Sequence, residues 1–152
     1  MIANGWRLFY YRAFKAALDE LEAEVTRLAA RDPKGYKAHP KTRLLASVYR
    51  AVTNLVPAKP DAVEFRLGKS LGTGNSSWRR VKKGMPERYR LFFRFASSPP
   101  KVLVYVWFND EDSLRKAGSK TDVYETFKRM LSRGDVPVDI GALLHSSIEV
   151  PR

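Results

Sequence analysis

Two periodicities alternate along the chain, one of about 3.6 residues and one of two, and their order predicts the architecture. Residues 6–10 form a short aromatic segment that reads as an edge strand. From Ala13 the spacing turns helical. Phe14, Ala17, Leu18, Leu21, Val25 and Leu28 share one face, with Asp19, Glu20, Glu22 and Glu24 mostly on the other. Asp32-Pro33 stops this helix. A second helix is expected from Pro40 or Lys41 to Leu55, burying Leu44, Leu45, Val48, Val52 and Leu55 and ended by Pro57 and Pro60. Residues 64–67 alternate as a short strand and run into a flexible glycine-rich loop at 68–75. Two further alternating strands, 78–84 and 88–95, flank a turn at Met85-Pro86-Glu87. Residues 102–108 are apolar at every position, which predicts a central strand covered on both faces. A last amphipathic helix begins at Thr121 or Asp122, turns Val123, Phe127, Met130 and Leu131 inward and closes at Gly134. A short helix is expected at 139–147.

These elements predict one α+β domain with an antiparallel sheet of three or four strands, two N-terminal helices and a C-terminal helix. Its parts are 1–60 (short strand and two helices), 61–109 (sheet) and 110–152 (helix and tail). The helices are expected on one sheet face, leaving a basic concavity on the other.

Charge enters the picture at the hairpin. Alternation places Tyr89, Leu91, Phe93 and Phe95 on one face, and Arg88, Arg90 and Arg94 with Phe92 on the other. On the preceding strand Trp78, Arg80 and Lys82 share a face. Pairing across the turn gathers Arg80, Lys82, Arg88, Arg90 and Arg94 beside Trp78 and Phe92. Burying that many unpaired cations is too costly, so this face is expected to be wet and suited to a polyanion.

Composition agrees. The 152 residues suffice for one domain with a substantial core. Lys and Arg number 28 against 16 acids, a net charge of +12, which points to a phosphate-rich partner or an anionic surface. Residues 61–100 hold nine basic and three acidic side chains, whereas 101–152 hold eight of each, so the excess is densest at the hairpin. There is no cysteine, which excludes disulfide and thiolate chemistry and suits a reducing compartment. The first residues lack the charged and apolar regions of a signal peptide, and the longest apolar run is far too short to span a bilayer. A cytoplasmic location is expected.

The glycine-rich loop does not match a nucleotide-binding P-loop, because Lys69 precedes the glycines and the next element is a strand. The basic face carries no acid cluster with metal-ligand spacing, so no metal or other cofactor is expected. His39 and His145 are expected at the surface, away from the basic face.

Several stretches, spread in order over nearly the whole chain, together resemble the YhaV family of bacterial toxins, a branch of the RelE superfamily of messenger-RNA endoribonucleases. They are N4-G5-W6, F65-R66-x-G68-K69-S70-L71-G72, W78-x-R80-V81-K82, R88-Y89-R90-L91-F92-F93-R94, N109-D110-E111 with L114-R115, and K120-T121-D122-x-Y124 with M130-L131-x-R133-G134. The two N-terminal helices match in pattern only. The resemblance implies a RelE-like fold and a type II toxin that cleaves mRNA and inhibits translation and growth. Relatives in the superfamily cut on the translating ribosome. It also implies a cognate antitoxin of the PrlF type, with an AbrB-like DNA-binding fold. Carried over by position, Arg80 and Lys82 match the basic pair before the hairpin turn, Arg90 the arginine of the following strand, and Lys120 and Tyr124 the basic and aromatic positions near the C-terminus. Some branches of the superfamily use a histidine and a glutamate instead, and neither histidine here lies near the basic face.

The residue types suit such chemistry. Metal-free RNA cleavage by the 2′-hydroxyl requires that its proton be taken, that added negative charge on phosphorus be stabilised, and that the leaving oxygen be protonated. Arg80 and Arg90 suit the second task as permanently charged forks. Lys82 suits the first if neighbouring cations depress its pKa. Tyr124 suits base stacking or proton transfer, and Lys120 suits positioning of phosphate. Arg66, Lys69, Lys83, Arg88, Arg94 and Arg115 are expected to hold or steer the RNA backbone, as most charge runs do. Trp78, Phe92 and Trp107 read more readily as core than as platforms for stacking a base, with Trp78 the best exception. A non-catalytic RNA- or DNA-binding module would use the same basic sheet and stands as the alternative reading.

Overall fold

The computed structural model describes residues 1–68, 70–72, 74–113 and 122–152. Lys69, Arg115 and Lys120 lie outside the described residues. Among the described residues six strands form one sheet: β1 (Ile2–Ala3), β2 (Trp6–Tyr11), β3 (Arg79–Val81), β4 (Leu91–Ala96), β5 (Val102–Phe108) and β6 (Ser147–Glu149). The path runs β1-β2-β5-β4-β3, with β6 on β2. The α+β class holds, but the strands outnumber the expected four and the β2–β5 pair is parallel. The remaining pairs are antiparallel.

β2 is internal rather than an edge. Trp6, Leu8 and Tyr10 pack on one side and Phe9 and Tyr11 on the other, so both faces need cover and both edges find partners. Asn4 and Gly5, at φ +50° and +82°, make the two-residue turn joining β1 to β2. β5 is central and covered on both faces, as its unbroken apolar pattern requires.

Helix α1 (Arg12–Arg31) buries Phe14, Leu18, Leu21 and Val25 and ends at Asp32. Helix α2 (Pro40–Arg50) is capped by His39, whose Nδ1 accepts from the Lys41 N–H at 3.1 Å. It does not stop before Pro57. A widened π turn (Ala51–Leu55) carries it into α3 (Val56–Ala58), the Val56 N–H bonding to the Ala51 carbonyl. That leaves the Val52 carbonyl free, and the buried Tyr105 hydroxyl donates to it at 2.7 Å. Pro57, which lacks an N–H, is accommodated in the following turn. Leu55 is left exposed. Residues 63–65 form a 3₁₀ turn instead of a strand, and only Arg66 bridges to Arg79.

α1, α2 and the π turn cover Leu91, Phe93, Leu103 and Tyr105. The opposite sheet face is also covered, by α4 (Val123–Ser132) and α5 (Ile140–His145). Phe127 stacks on Phe92 at 4.2 Å and meets Trp78 edge-on at 5.1 Å. The expected open concavity is therefore reduced to its margin. Trp78, Phe92, Val104 and Val106 form an apolar stripe too large to leave in water, and α4 supplies its cover. Among the described residues no helix is long and apolar enough to cross a membrane.

Candidate active site

The hairpin, the end of β5 and the start of α4 meet where this second core gives way to solvent. β3 and β4 pair with Arg80 opposite Phe92, which puts the Arg80 side chain on the α4 side of the sheet. Arg90, two residues before Phe92, points to the same side. The connection from 82 to 90 is longer than the expected turn, because β3 ends at Val81 and β4 begins only at Leu91.

α4 begins at the buried Asp122, whose carboxylate accepts from the N–H groups of Tyr124 (2.7 Å) and Glu125 (3.4 Å). With Phe127 seated on Phe92, Tyr124 lies one turn nearer the helix start and meets Phe92 edge-on at 6.0 Å. Its phenol oxygen then falls between two guanidiniums. Arg80 Nε donates to it at 2.9 Å and Arg90 Nε at 3.1 Å. The backbone fixes both arginines further. Arg80 donates to the Arg66 carbonyl at 2.5 Å and Arg90 to the Tyr89 carbonyl at 2.8 Å. Both acceptor positions of the phenol oxygen are thus taken, and its own O–H is bonded to no acceptor among the described residues.

The other expected site residues divide. Lys82 and Lys83 are exposed just beyond the end of β3. Arg88 is exposed at φ +69°. Arg66 is exposed and, with Leu67, Gly68, Ser76 and Arg79, lines a cleft of about 410 Å³ beside the cluster. Arg94 is held inward. It donates to the Val138 carbonyl and lies 5.3 Å over the Trp78 ring, and burial lowers its pKa. Trp78 is 2% exposed, so its ring belongs to the core and is not offered to a base. His39 is the α2 cap and His145 is exposed at the end of α5.

Two residues of the site had gone unread. Arg79 lines the cleft with Arg66 and donates to the Ser76 and Trp78 carbonyls; burial, then the like charge of Arg66, lowers its pKa. Asn109 is fully buried and bonds to the Arg88–Arg90 backbone. Its position at the polar end of an all-apolar strand was the available signal. Across the sheet, a cleft of about 330 Å³ is lined by Glu20, Glu24, Asp110, Glu111 and Asp112, a setting that repels phosphate. Among the described residues no group of three His, Cys, Asp or Glu side chains is placed to hold a metal ion.

Two guanidiniums thus converge on one hydroxyl at the margin of a strongly basic chain. Residues 8–148 match the model of a family described as a toxin with endonuclease activity, of toxin–antitoxin systems. The chain is 44% identical over 147 residues to the ribonuclease toxin YhaV of Escherichia coli K12, covering 96% of this chain and 94% of the relative. The same figures hold for toxin YhaV of E. coli O6:H1. No solved structure matches the chain significantly. The chain belongs to the YhaV family of toxins with endonuclease activity.

Proposed function

We propose that this endonuclease cleaves messenger RNA by attack of a 2′-hydroxyl on the adjacent phosphate, with Arg80, Arg90 and Tyr124 as the central groups. The carrying observation is the convergence of two guanidiniums on one phenol oxygen, at 2.9 and 3.1 Å. The arginines clamp the non-bridging oxygens and stabilise the charge that builds on phosphorus. The Tyr124 hydroxyl, free to donate, faces the leaving 5′ oxygen. Lys82, exposed two residues beyond Arg80, takes the 2′ proton, and Lys120 contributes a further phosphate contact. The products are a 2′,3′-cyclic phosphate and a free 5′-hydroxyl, with the proton transfers and charge stabilisation carried by these side chains.

Arg66, Lys69, Lys83, Arg88 and Arg115 steer the RNA backbone toward the cluster. The substrate is mRNA on the translating ribosome, and the antitoxin is of the PrlF type with an AbrB-like fold. Family membership supports an antitoxin as such, since a toxin–antitoxin system implies one; its type and the ribosome rest on the resemblance alone. Primer extension on a defined mRNA in EDTA, with and without cell-free translation, tests the reading. Cuts confined to the translated reaction, and abolished by Lys82→Ala, are expected. Cuts in naked RNA would remove the ribosome from the account, and tight binding without any cut would overturn it.

A further inference from the structure

The catalytic margin depends on a residue that touches no phosphate. Asn109 follows β5 directly, and its side chain is wholly buried. Its Oδ1 accepts from the Arg90 N–H at 2.8 Å and its Nδ2 donates to the Arg88 carbonyl at 3.2 Å. The last backbone pair of the β4–β5 ladder is Leu91 with Phe108. Asn109 therefore extends the ladder by one step with its side chain, where the strand itself has ended. The two bonds span the segment in which Arg88 adopts φ +69°, a left-handed conformation that strains an ordinary side chain-bearing residue. Beyond that bend Arg90 emerges with its Nε on the Tyr124 oxygen.

We infer that Asn109 is a positioning residue for Arg90: its amide clamps the strained bend at Arg88 and so aims the Arg90 guanidinium at the reacting phosphate. The inference rests on the catalytic role given to Arg90 above. An amide is required because the clamp needs a donor and an acceptor on adjacent atoms. Aspartate supplies only acceptors when ionised, and alanine supplies neither. Losing the clamp lets Arg90 move by a fraction of a residue's reach, and a misplacement near 1 Å suffices for about a 10²-fold loss in rate.

The test uses the full chain with Asn109→Asp, Asn109→Ala, Arg90→Ala and the pair Asn109→Ala/Arg88→Gly. Cleavage is measured in single turnover, affinity is measured on a 2′-O-methyl RNA that cannot react, and thermal unfolding is followed alongside. Both Asn109 variants are expected to lose about 10²-fold in kcat with affinity changed less than about threefold. Glycine adopts positive φ without strain, so Arg88→Gly is expected to restore part of that kcat in the Asn109→Ala background. Wild-type kcat in both Asn109 variants, with Arg90→Ala inactive, overturns the inference and leaves the catalytic reading standing. Loss of kcat in step with melting temperature, without rescue by glycine, overturns it as well, because Asn109 would then serve the fold alone. Wild-type cleavage by Arg90→Ala removes the catalytic reading itself.

Discussion

Removing one oxygen atom, by Tyr124→Phe, separates the chemistry of the site from its charge. The Arg80 and Arg90 Nε atoms both bond to the phenol oxygen, so they stand no more than about 6 Å apart. Two unit charges at that distance repel by roughly 0.7 kcal/mol in bulk water and 3 kcal/mol near a protein surface. The hydroxyl offsets this repulsion by accepting from both. Phenylalanine keeps the edge-on contact with Phe92 and both cations, but loses the bridge and the proton donor. Tyr124 is only half-buried, so water replaces part of the lost bonding and the cost to stability is about 1 kcal/mol. That corresponds to a drop in melting temperature of about 2–4 °C. Loss of a positioned proton donor costs far more in rate, about 10²–10⁴-fold. Affinity for 2′-O-methyl RNA should change by less than about threefold, since phosphate attraction resides in the arginines. Single-turnover cleavage, filter binding and a thermal melt measure the three quantities. A variant that cleaves within about twofold of wild type would refute the reasoning, since the oxygen would then be only a tether between two arginines.

Other expected outcomes follow from particular contacts. Lys82→Ala should cut single-turnover cleavage by about 10²–10⁴-fold and lower the salt slope of RNA binding by about one, and unchanged cleavage would take the base role from it. Gly84 sits at φ +92°, and an added Cβ would lie 2.7 Å from Leu55 Cδ1; Gly84→Ala should cost about 1–3 kcal/mol in urea unfolding. Leu55→Ala should return only the steric part of that loss. Burial, and then Glu22, push the Tyr10 phenol up to about 12 from 10.0. The folded state thus holds that proton more tightly than the unfolded chain, so the stabilisation is complete below pH about 10 and lost on rising toward 12. Urea midpoints should fall across that window, less steeply in Tyr10→Phe; identical slopes would show that Tyr10 does not contribute.

Much of this was readable before any coordinates, and the exceptions share a cause. The stripe from Phe14 to Val25 and the unbroken run at 102–108 each name their own environment, because periodicity reports how many faces are buried. It does not report what covers them. Phe92 and Arg80 lie on the same sheet face, one in the core and one at its margin, and the difference is set by where α4 crosses, far along the chain from both. The arginines outvoted Phe92 and Trp78 in the alternation, and an open face was expected where a covered one exists. Pairing partners are equally silent in the pattern, hence the internal place of β2 and its parallel neighbour. Asn4-Gly5 carried a hairpin signal for β1 that went unread. For the site, charge and spacing drew attention to the face of Arg80 and Arg90, the family resemblance added Tyr124, and the fold brings the three together. Asn109 escaped because a neutral amide has no charge to count, and its value lies in backbone groups that come near only on folding.

The measurement that bears most directly on the central claim compares rate with affinity in Arg80→Ala and Arg90→Ala. Single-turnover cleavage of a defined RNA in EDTA is set beside equilibrium binding of the same sequence with 2′-O-methyl groups. If the guanidinium pair stabilises the phosphate under attack, each variant should lose about 10³-fold or more in cleavage while affinity falls by less than about tenfold. Cleavage that declines only in proportion to binding would contradict the account and reduce both arginines to anchors for the RNA backbone.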